Sequence, residues 1–278
     1  MRDSRLTPLV AVAHGSRDPR AAATVTELLS VVRARADRHG LGGLDVRAAF
    51  LDHCAPSLPQ VLGSLPADPL SADGSQAVVV PLLLTAAYHS KADIPAQLAA
   101  AAAARPGPDV VPAATLGPHG LLLAALERRL REAGVAVDDA GARAATGVVL
   151  AAAGSSDPAA NTTNARLAAR WAAERGWRAV VPAYASAVDP SPADAVRTLL
   201  DAGTHNVVVA TYLLAPGYFA DKIRSLALGA GATAVSAALG AAPEVADVVL
   251  DRYLAAAPDR DRDIRYGSPE VAPRSVSG

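Results

Sequence analysis

The chain has 278 residues, enough for one large α/β domain or two ordinary ones, either of which can bury a real core. Its formal net charge of −1 gives no electrostatic case for a nucleic-acid or anionic-membrane partner, so an acidic ligand must be met by local groups. The single cysteine, Cys54, excludes an intrachain disulfide and a cysteine-held zinc or iron–sulfur cluster, and no uninterrupted run of about 20 apolar residues suits a membrane span.

Residues 6–13 read as a short buried strand that stops before Gly15. Asp18 followed by Pro19 is a helix opening, and residues 21–39 then carry Val25, Leu28, Leu29 and Val32 at helical spacing. A second strand is expected at 44–51 and a second helix at 56–65, followed by a Pro-, Ser-, Asp- and Gly-rich loop over 66–76. Residues 77–84, A-V-V-V-P-L-L-L, lack alternation and predict a central strand. Pro81 within it has no N–H for a ladder, which predicts a bulge or a locally unpaired edge. A loop at 85–91, a helix opening at Asp93-Ile94-Pro95, a strand at 109–115 and a helix at 118–133 complete the first series. Such alternation implies a parallel sheet with right-handed crossovers.

Residues 135–145 break the pattern and read as a linker between a first domain, 1–134, and a second, 146–257. Strands at 147–152, 179–185, 206–213 and 232–237 alternate with helices at 158–175, 192–202, 219–228 and 243–254. The tail, 258–278, is charged and then Pro/Ser-rich, and is expected to be disordered. V-A-V-A-H-G-S-R-D-P at 10–19 returns as V-V-L-A-A-A-G-S-S-D-P at 148–158, and Pro56-Ser57 returns as Pro190-Ser191. A repeat of this length predicts an α/β protein of two similar parallel-sheet βα domains with flavodoxin-type layering, related by a pseudo-twofold axis and facing each other across a cleft. That internal symmetry permits a monomer. Residues 1–8 lack the charged and apolar regions of a signal peptide, so the expected compartment is the cytoplasm.

His14 follows the first strand and His89 follows the third, so both belong to the rim where α/β sheets gather ligands. One reading of His14 is a hydrogen-bonded strand end. The repeat favours another: Ala153 and Tyr218 stand where the histidines would be, while caps and turns survive. Two neutral imidazoles with few carboxylates nearby suit a loosely held divalent transition metal. His39, His119, His205, Trp171, Trp177 and Cys54 read as structural residues.

Three segments, H-G-S-R-D-P, F-L-D-H-C-A-P-S-L at 50–58 and P-L-L-L-T-A-A-Y-H-S-K-A-D-I-P at 81–95, resemble in order and spacing the signatures of the sirohydrochlorin chelatases. These are the small class II chelatases of sirohaem and cobalamin synthesis. The resemblance spans residues 6–255 and is to the long two-repeat form with the active half first. It implies a chelatase-like fold and ATP-independent insertion of Co²⁺ or Fe²⁺ into sirohydrochlorin. The metal is a substrate held by His14 and His89, with no permanently bound cofactor. Where the family often carries F-L-E this chain has Asp52, a shorter carboxylate and a candidate ligand or proton acceptor, and Ala55 replaces a second acidic residue. His53 is a second candidate to compensate, but on a strand it points opposite to Asp52. Ser16 and Arg17 before one helix, Ser90 and Lys91 before another, and Ser155 and Ser156 before the Pro158 helix offer donors for the carboxylate arms of the tetrapyrrole, and Tyr88 a stacking ring. A non-enzymatic metal or tetrapyrrole carrier on the same scaffold is the alternative. A phosphoryl-transfer enzyme built on His14-Gly15-Ser16 is weaker, because only Arg17 supplies the arginine cluster it needs.

Overall fold

The computed structural model describes residues 6–65, 76–85, 93–104 and 109–258. His89, Tyr88, Ser90 and Lys91 lie outside these residues, as do most of the loop expected at 66–76 and nearly all of the C-terminal tail.

The first half runs β1 (Leu9–Ala13), α1 (Pro19–Arg38), β2 (Val46–Phe50), α2 (Leu58–Ser64), β3 (Gln76–Pro81), α3 (Ile94–Ala104), β4 (Asp109–Pro112) and α4 (Gly120–Glu132). A short helix, α5 (Ala140–Ala145), lies within the segment expected to be a linker. The second half continues with β5 (Thr146–Ala152), α6 (Pro158–Arg175), β6 (Ala179–Tyr184), α7 (Pro192–Asp201), β7 (Asn206–Tyr212), α8 (Tyr218–Gly229), β8 (Ala234–Val235) and α9 (Pro243–Ala256). Each half forms a four-stranded parallel sheet, β2-β1-β3-β4 and β6-β5-β7-β8, so the expected α/β duplication is present strand for strand. β1 and β5 are buried along their whole length, which their unbroken apolar runs require of central parallel strands.

Pro81 produces no bulge; the locally unpaired edge expected there is present on its β4 side. It closes β3 opposite Val12, and the next residue, Leu82, donates to the Val12 carbonyl at 2.8 Å. Val78 and Leu82 both donate toward β1, so alternation turns the missing N–H of Pro81 toward β4, which has already ended at Pro112. The proline thus sits at the one end of a central strand where no ladder bond is lost.

The final helices of the two halves are exchanged. α9 lies on α1 and against β3, whereas α4 lies against β7. Val245, Val248 and Tyr253 of α9 are wholly buried by this packing. Each such side chain contributes about 1.5–3 kcal/mol of transfer free energy, so each sheet is stabilised by a helix from the other half of the chain. Polar contacts accompany the exchange: the Tyr253 hydroxyl donates to the Thr7 carbonyl at 2.8 Å, Trp171 Nε1 donates to Glu127 at 3.0 Å, Arg128 pairs with Glu244 at 2.6 Å, and Arg35 pairs with Asp247. One apolar cluster accordingly runs through both halves.

Candidate functional site

In both sheets the chain leaves the first strand toward one side and returns to the third on the other, which creates a crevice at the carboxyl ends. The turn after β1 is fixed by Gly15, at φ +90°, where an added Cβ would lie 1.8 Å from the Asp52 carbonyl oxygen. Gly154 repeats this after β5, at φ +88° and 2.0 Å from the Ser186 oxygen. Only glycine combines that backbone conformation with such an approach. The Ser16 hydroxyl oxygen accepts from Asp18 N–H at 3.0 Å, and Asp18 caps α1 through Arg20 N–H at 2.9 Å. Ser155, Asp157 and Ala159 make the same bonds at 3.0 and 2.9 Å. The Gly-Ser-x-Asp-Pro frame is therefore a folding device, and His14 is what the first half adds to it.

His14 Nδ1 lies 3.2 Å from the Gly15 carbonyl oxygen. That contact is a hydrogen bond only when Nδ1 carries the proton, which leaves the lone pair on Nε2, the arrangement commonly found in metal-ligating histidines. Asp52 N–H donates to the His14 carbonyl at 2.9 Å, and the Cys54 thiol donates to the Ser16 carbonyl at 3.1 Å, so the loop after β2 is tied to the histidine turn. Cys54 thereby has the structural role expected of it.

The expectation that His53 points away from Asp52 is wrong. β2 ends at Phe50, so strand alternation no longer governs residues 52 and 53. His53 adopts φ +61°, its N–H donates to Asp52 Oδ1 at 2.7 Å, and its Nε2 lies 3.3 Å from Asp52 Oδ2. Ala187 has the matching φ of +69° in the second half, so the backbone shape belongs to the fold and the imidazole to the first half alone. The Asp52 side chain is 64% exposed, and its carboxylate is engaged with His53.

Both crevices open into one cleft of about 760 Å³ between the halves. His14, Ser16, Arg17 and His53 line it from the first half, together with residues 82–85 just after β3; Asp52 is not part of the lining. The second half supplies Ser155, Asn161, Asn164, Tyr218 and Phe219. The sequence reading drew no lining residues from that half except the serines, because its Asn and aromatic positions match no ligand motif. Near the lining, Arg20 bridges Asp18 and Asp221 at 2.6 Å each, linking α1 to α8, and this guanidinium holds the Asp18 carboxyl below the usual carboxylate range. The buried Tyr212 hydroxyl donates to the Leu84 carbonyl at 3.3 Å, and burial pushes its phenol well above its ordinary value. Among the described residues no cluster of three or more His, Cys, Asp or Glu side chains could hold a metal ion.

The family model for CbiX matches residues 8–133 and 147–256, which are the two halves seen in the structure. The chain belongs to the CbiX family. This CbiX-family protein is 28% identical over 216 residues to the sirohydrochlorin cobaltochelatase of Priestia megaterium, covering 77% of the chain and 66% of that relative's length. It thus spans just under two thirds of that curated relative. Its fold is that of SirB from Bacillus subtilis with Fe³⁺, at a TM-score of 0.74 and 22% identity over 92% of this chain and 98% of that one. SirB from B. subtilis subspecies spizizenii in complex with cobalt has a TM-score of 0.64 at 21% identity over 88% and 92%. The remaining expected site residues, Tyr88, His89, Ser90 and Lys91, follow β3 in sequence but lie outside the described residues. No helix among the described residues is long and apolar enough to cross a membrane.

Proposed function

We propose that this CbiX-family protein is a metal chelatase that inserts Co²⁺ or Fe²⁺ into sirohydrochlorin without ATP. The observation that carries this reading is His14, with Nδ1 3.2 Å from a backbone carbonyl oxygen, on the wall of an open 760 Å³ cleft whose other wall repeats the same fold without the histidine. That volume is in the upper part of the range, about 300–1,000 Å³, that small-molecule clefts occupy. The named activity of the Priestia relative and the metals bound by the two SirB structures are in keeping with it.

Insertion requires that a partly dehydrated ion be handed over while pyrrole N–H protons leave. A closed four-ligand site would retain the ion, whereas His14 and His89 leave coordination positions for the macrocycle nitrogens. His53 and Asp52, held against each other, offer a nearby acceptor for departing protons. Arg17 and the Ser16 O–H, at the N-terminus of α1, provide donors for carboxylate arms.

Replacing His14 with Ala should abolish insertion of Co²⁺ into sirohydrochlorin, followed by the change in tetrapyrrole absorbance, with the melting temperature unchanged. Full turnover in His14→Ala would sink the proposal. A carrier would instead bind stoichiometrically and show no turnover in the wild type.

A further inference from the structure

Large apolar side chains are seldom left in water in groups unless they meet something. Among the described residues the exposed ones are Val188, Tyr218, Phe219 and Leu228. Tyr218 and Phe219 lie on the cleft wall of the second half, 73% and 39% exposed, with ring centroids 5.6 Å apart and planes tilted by 57°. Val188 follows Ala187, another lining residue. The exposed aromatic surface is therefore gathered on the wall that faces His14, at the start of α8 where the repeat has discarded a histidine.

Deeper on the same wall is a polar residue that the fold does not use. Asn164 is 4% exposed and lines the cleft, yet its Oδ1 is buried with no hydrogen-bond partner among the described residues. Asn161, one turn earlier, is by contrast fully engaged by the backbone of Ser155. Asn164 stands at the same step from Pro158 as Val25 does from Pro19, and Val25 also lines the cleft. The first half thus shows that an apolar side chain suffices for folding there. A buried acceptor without a donor weakens a fold, so its presence points to a ligand that supplies the donor.

We propose that the second half is the wall that orients the tetrapyrrole: Tyr218 and Phe219 stack on one face of the macrocycle, and Asn164 accepts from its pyrrole N–H groups. This rests on the chelatase reading and adds to it the residues that hold the organic substrate. The chemistry selects the partner group. The arms of sirohydrochlorin are ionised carboxylates, which accept but do not donate, so its N–H donors are those at the ring centre. Aromatic side chains favour flat partners in stacked or tilted arrangements. With its centre turned to Asn164, the ring presents its opposite face to the ion brought by His14. The two halves then divide the reaction, the first handling the metal and the second the macrocycle.

The test uses the full chain, metal-free sirohydrochlorin as the probe in a fluorescence titration, and Co²⁺ in equilibrium dialysis. Tyr218→Ser combined with Phe219→Ser should weaken tetrapyrrole binding at least tenfold while Co²⁺ binding and melting temperature stay at the wild-type values, since both rings are exposed. Asn164→Leu should weaken tetrapyrrole binding several-fold with the melting temperature unchanged or raised, a result that a structural role for Asn164 would not give. Wild-type tetrapyrrole affinity in both variants, alongside normal binding by the wild type, overturns this inference and leaves the chelatase reading standing. A lowered melting temperature in Asn164→Leu also overturns the role given to that residue. Failure of the wild type itself to bind sirohydrochlorin overturns both readings together.

Discussion

Replacing Gly15 with Ala, and separately Gly154 with Ala, distinguishes what the repeated turn does for the fold from what it does for the site. In the first variant the new methyl group would lie 1.8 Å from the Asp52 carbonyl oxygen, and in the second 2.0 Å from that of Ser186, where ordinary contacts begin near 3.4 Å. Either the turn or the facing loop must retreat by more than an ångström. The positive φ adds about 1–3 kcal/mol for a non-glycine residue, and forcing a group into a packed place typically costs about 1–3 kcal/mol more. A loss of roughly 2–6 kcal/mol from a total stability of about 5–15 kcal/mol typically leaves a folded but weakened protein. Urea denaturation should show a lower midpoint with similar slope in both variants. The functional outcome should differ. Asp52 N–H is bonded to the His14 carbonyl and its carboxylate holds His53, so retreat of that loop displaces both imidazoles and should remove Co²⁺ binding from Gly15→Ala. Gly154→Ala disturbs a loop with Ala187 in place of His53 and should keep it. An unchanged urea midpoint in Gly15→Ala, or equal loss of Co²⁺ binding in both variants, would refute the reasoning.

Two further predictions concern the exchanged helices and pH. Tyr253→Phe removes the buried hydroxyl that joins α9 to the Thr7 carbonyl, a bond worth about 1 kcal/mol net, and should lower the melting temperature by about 2–4 °C in calorimetry with insertion rate unaffected. An unaltered melting temperature would show that the contact between the halves contributes nothing. His119 caps α4, its Nδ1 accepting from Leu121 N–H at 3.2 Å, and burial together with Arg252 outweighs Asp251 to lower its pKa from 6.5. With the folded pKa depressed, the unfolded chain binds the proton more readily. His119 therefore contributes nothing to the slope well above pH 6.5, and stability falls as pH drops below that value, by at most about 1.4 kcal/mol per pH unit. In His119→Asn, which keeps a capping acceptor, urea midpoints measured from pH 7.5 to 5 should fall less steeply than in the wild type. An identical slope would mean that the imidazole does not titrate differently on folding.

The features legible in the sequence are those set by local chemistry. Helices opened by Asp-Pro or Ser-Pro pairs begin within a residue or two of where the chain places them, α6 without any offset, because the cap and the proline act over a single turn. The strands after them are mostly apolar, with Arg47 in β2 and Asn206 and Thr211 in β7 as exceptions, and needed no alternation to be found. His14 was singled out because the repeat provides its own control in Ala153, and the structure places it on the cleft wall. What failed was reasoning that carried a local rule past the end of its element. His53 was assigned a direction from strand alternation, but the strand stops at Phe50 and the loop geometry takes over. For Pro81 a bulge was unnecessary, because the neighbouring strand ends just early enough to give the locally unpaired edge that was the other expectation. The exchange of α4 and α9 leaves no trace in periodicity, since an apolar helix face does not state which sheet it will cover. Asn164 was passed over for a related reason: its significance lies in a missing partner, which only coordinates reveal.

The exchange also bears on why the two halves can differ. A cleft between two separate copies of one chain would have identical walls, with a histidine turn on each and no place for an acceptor in one position and an apolar residue in its mate. Joining the copies in one chain lets Val25 and Asn164, His53 and Ala187, and His14 and Ala153 diverge while the backbone turns that carry them remain superposable in φ and capping. Divergence of the walls is useful only if their separation is held, because stacking and metal transfer both fail when facing groups drift by an ångström or so. The crossed helices provide that constraint. α9 is rooted in the second half but anchored on β3, the strand that His89 follows in sequence, and α4 is anchored on β7, whose continuation carries Tyr218. Opening the cleft would strip each sheet of a helix, so the distance between the wall carrying His14 and the aromatic wall is maintained by the same apolar burial that folds the protein.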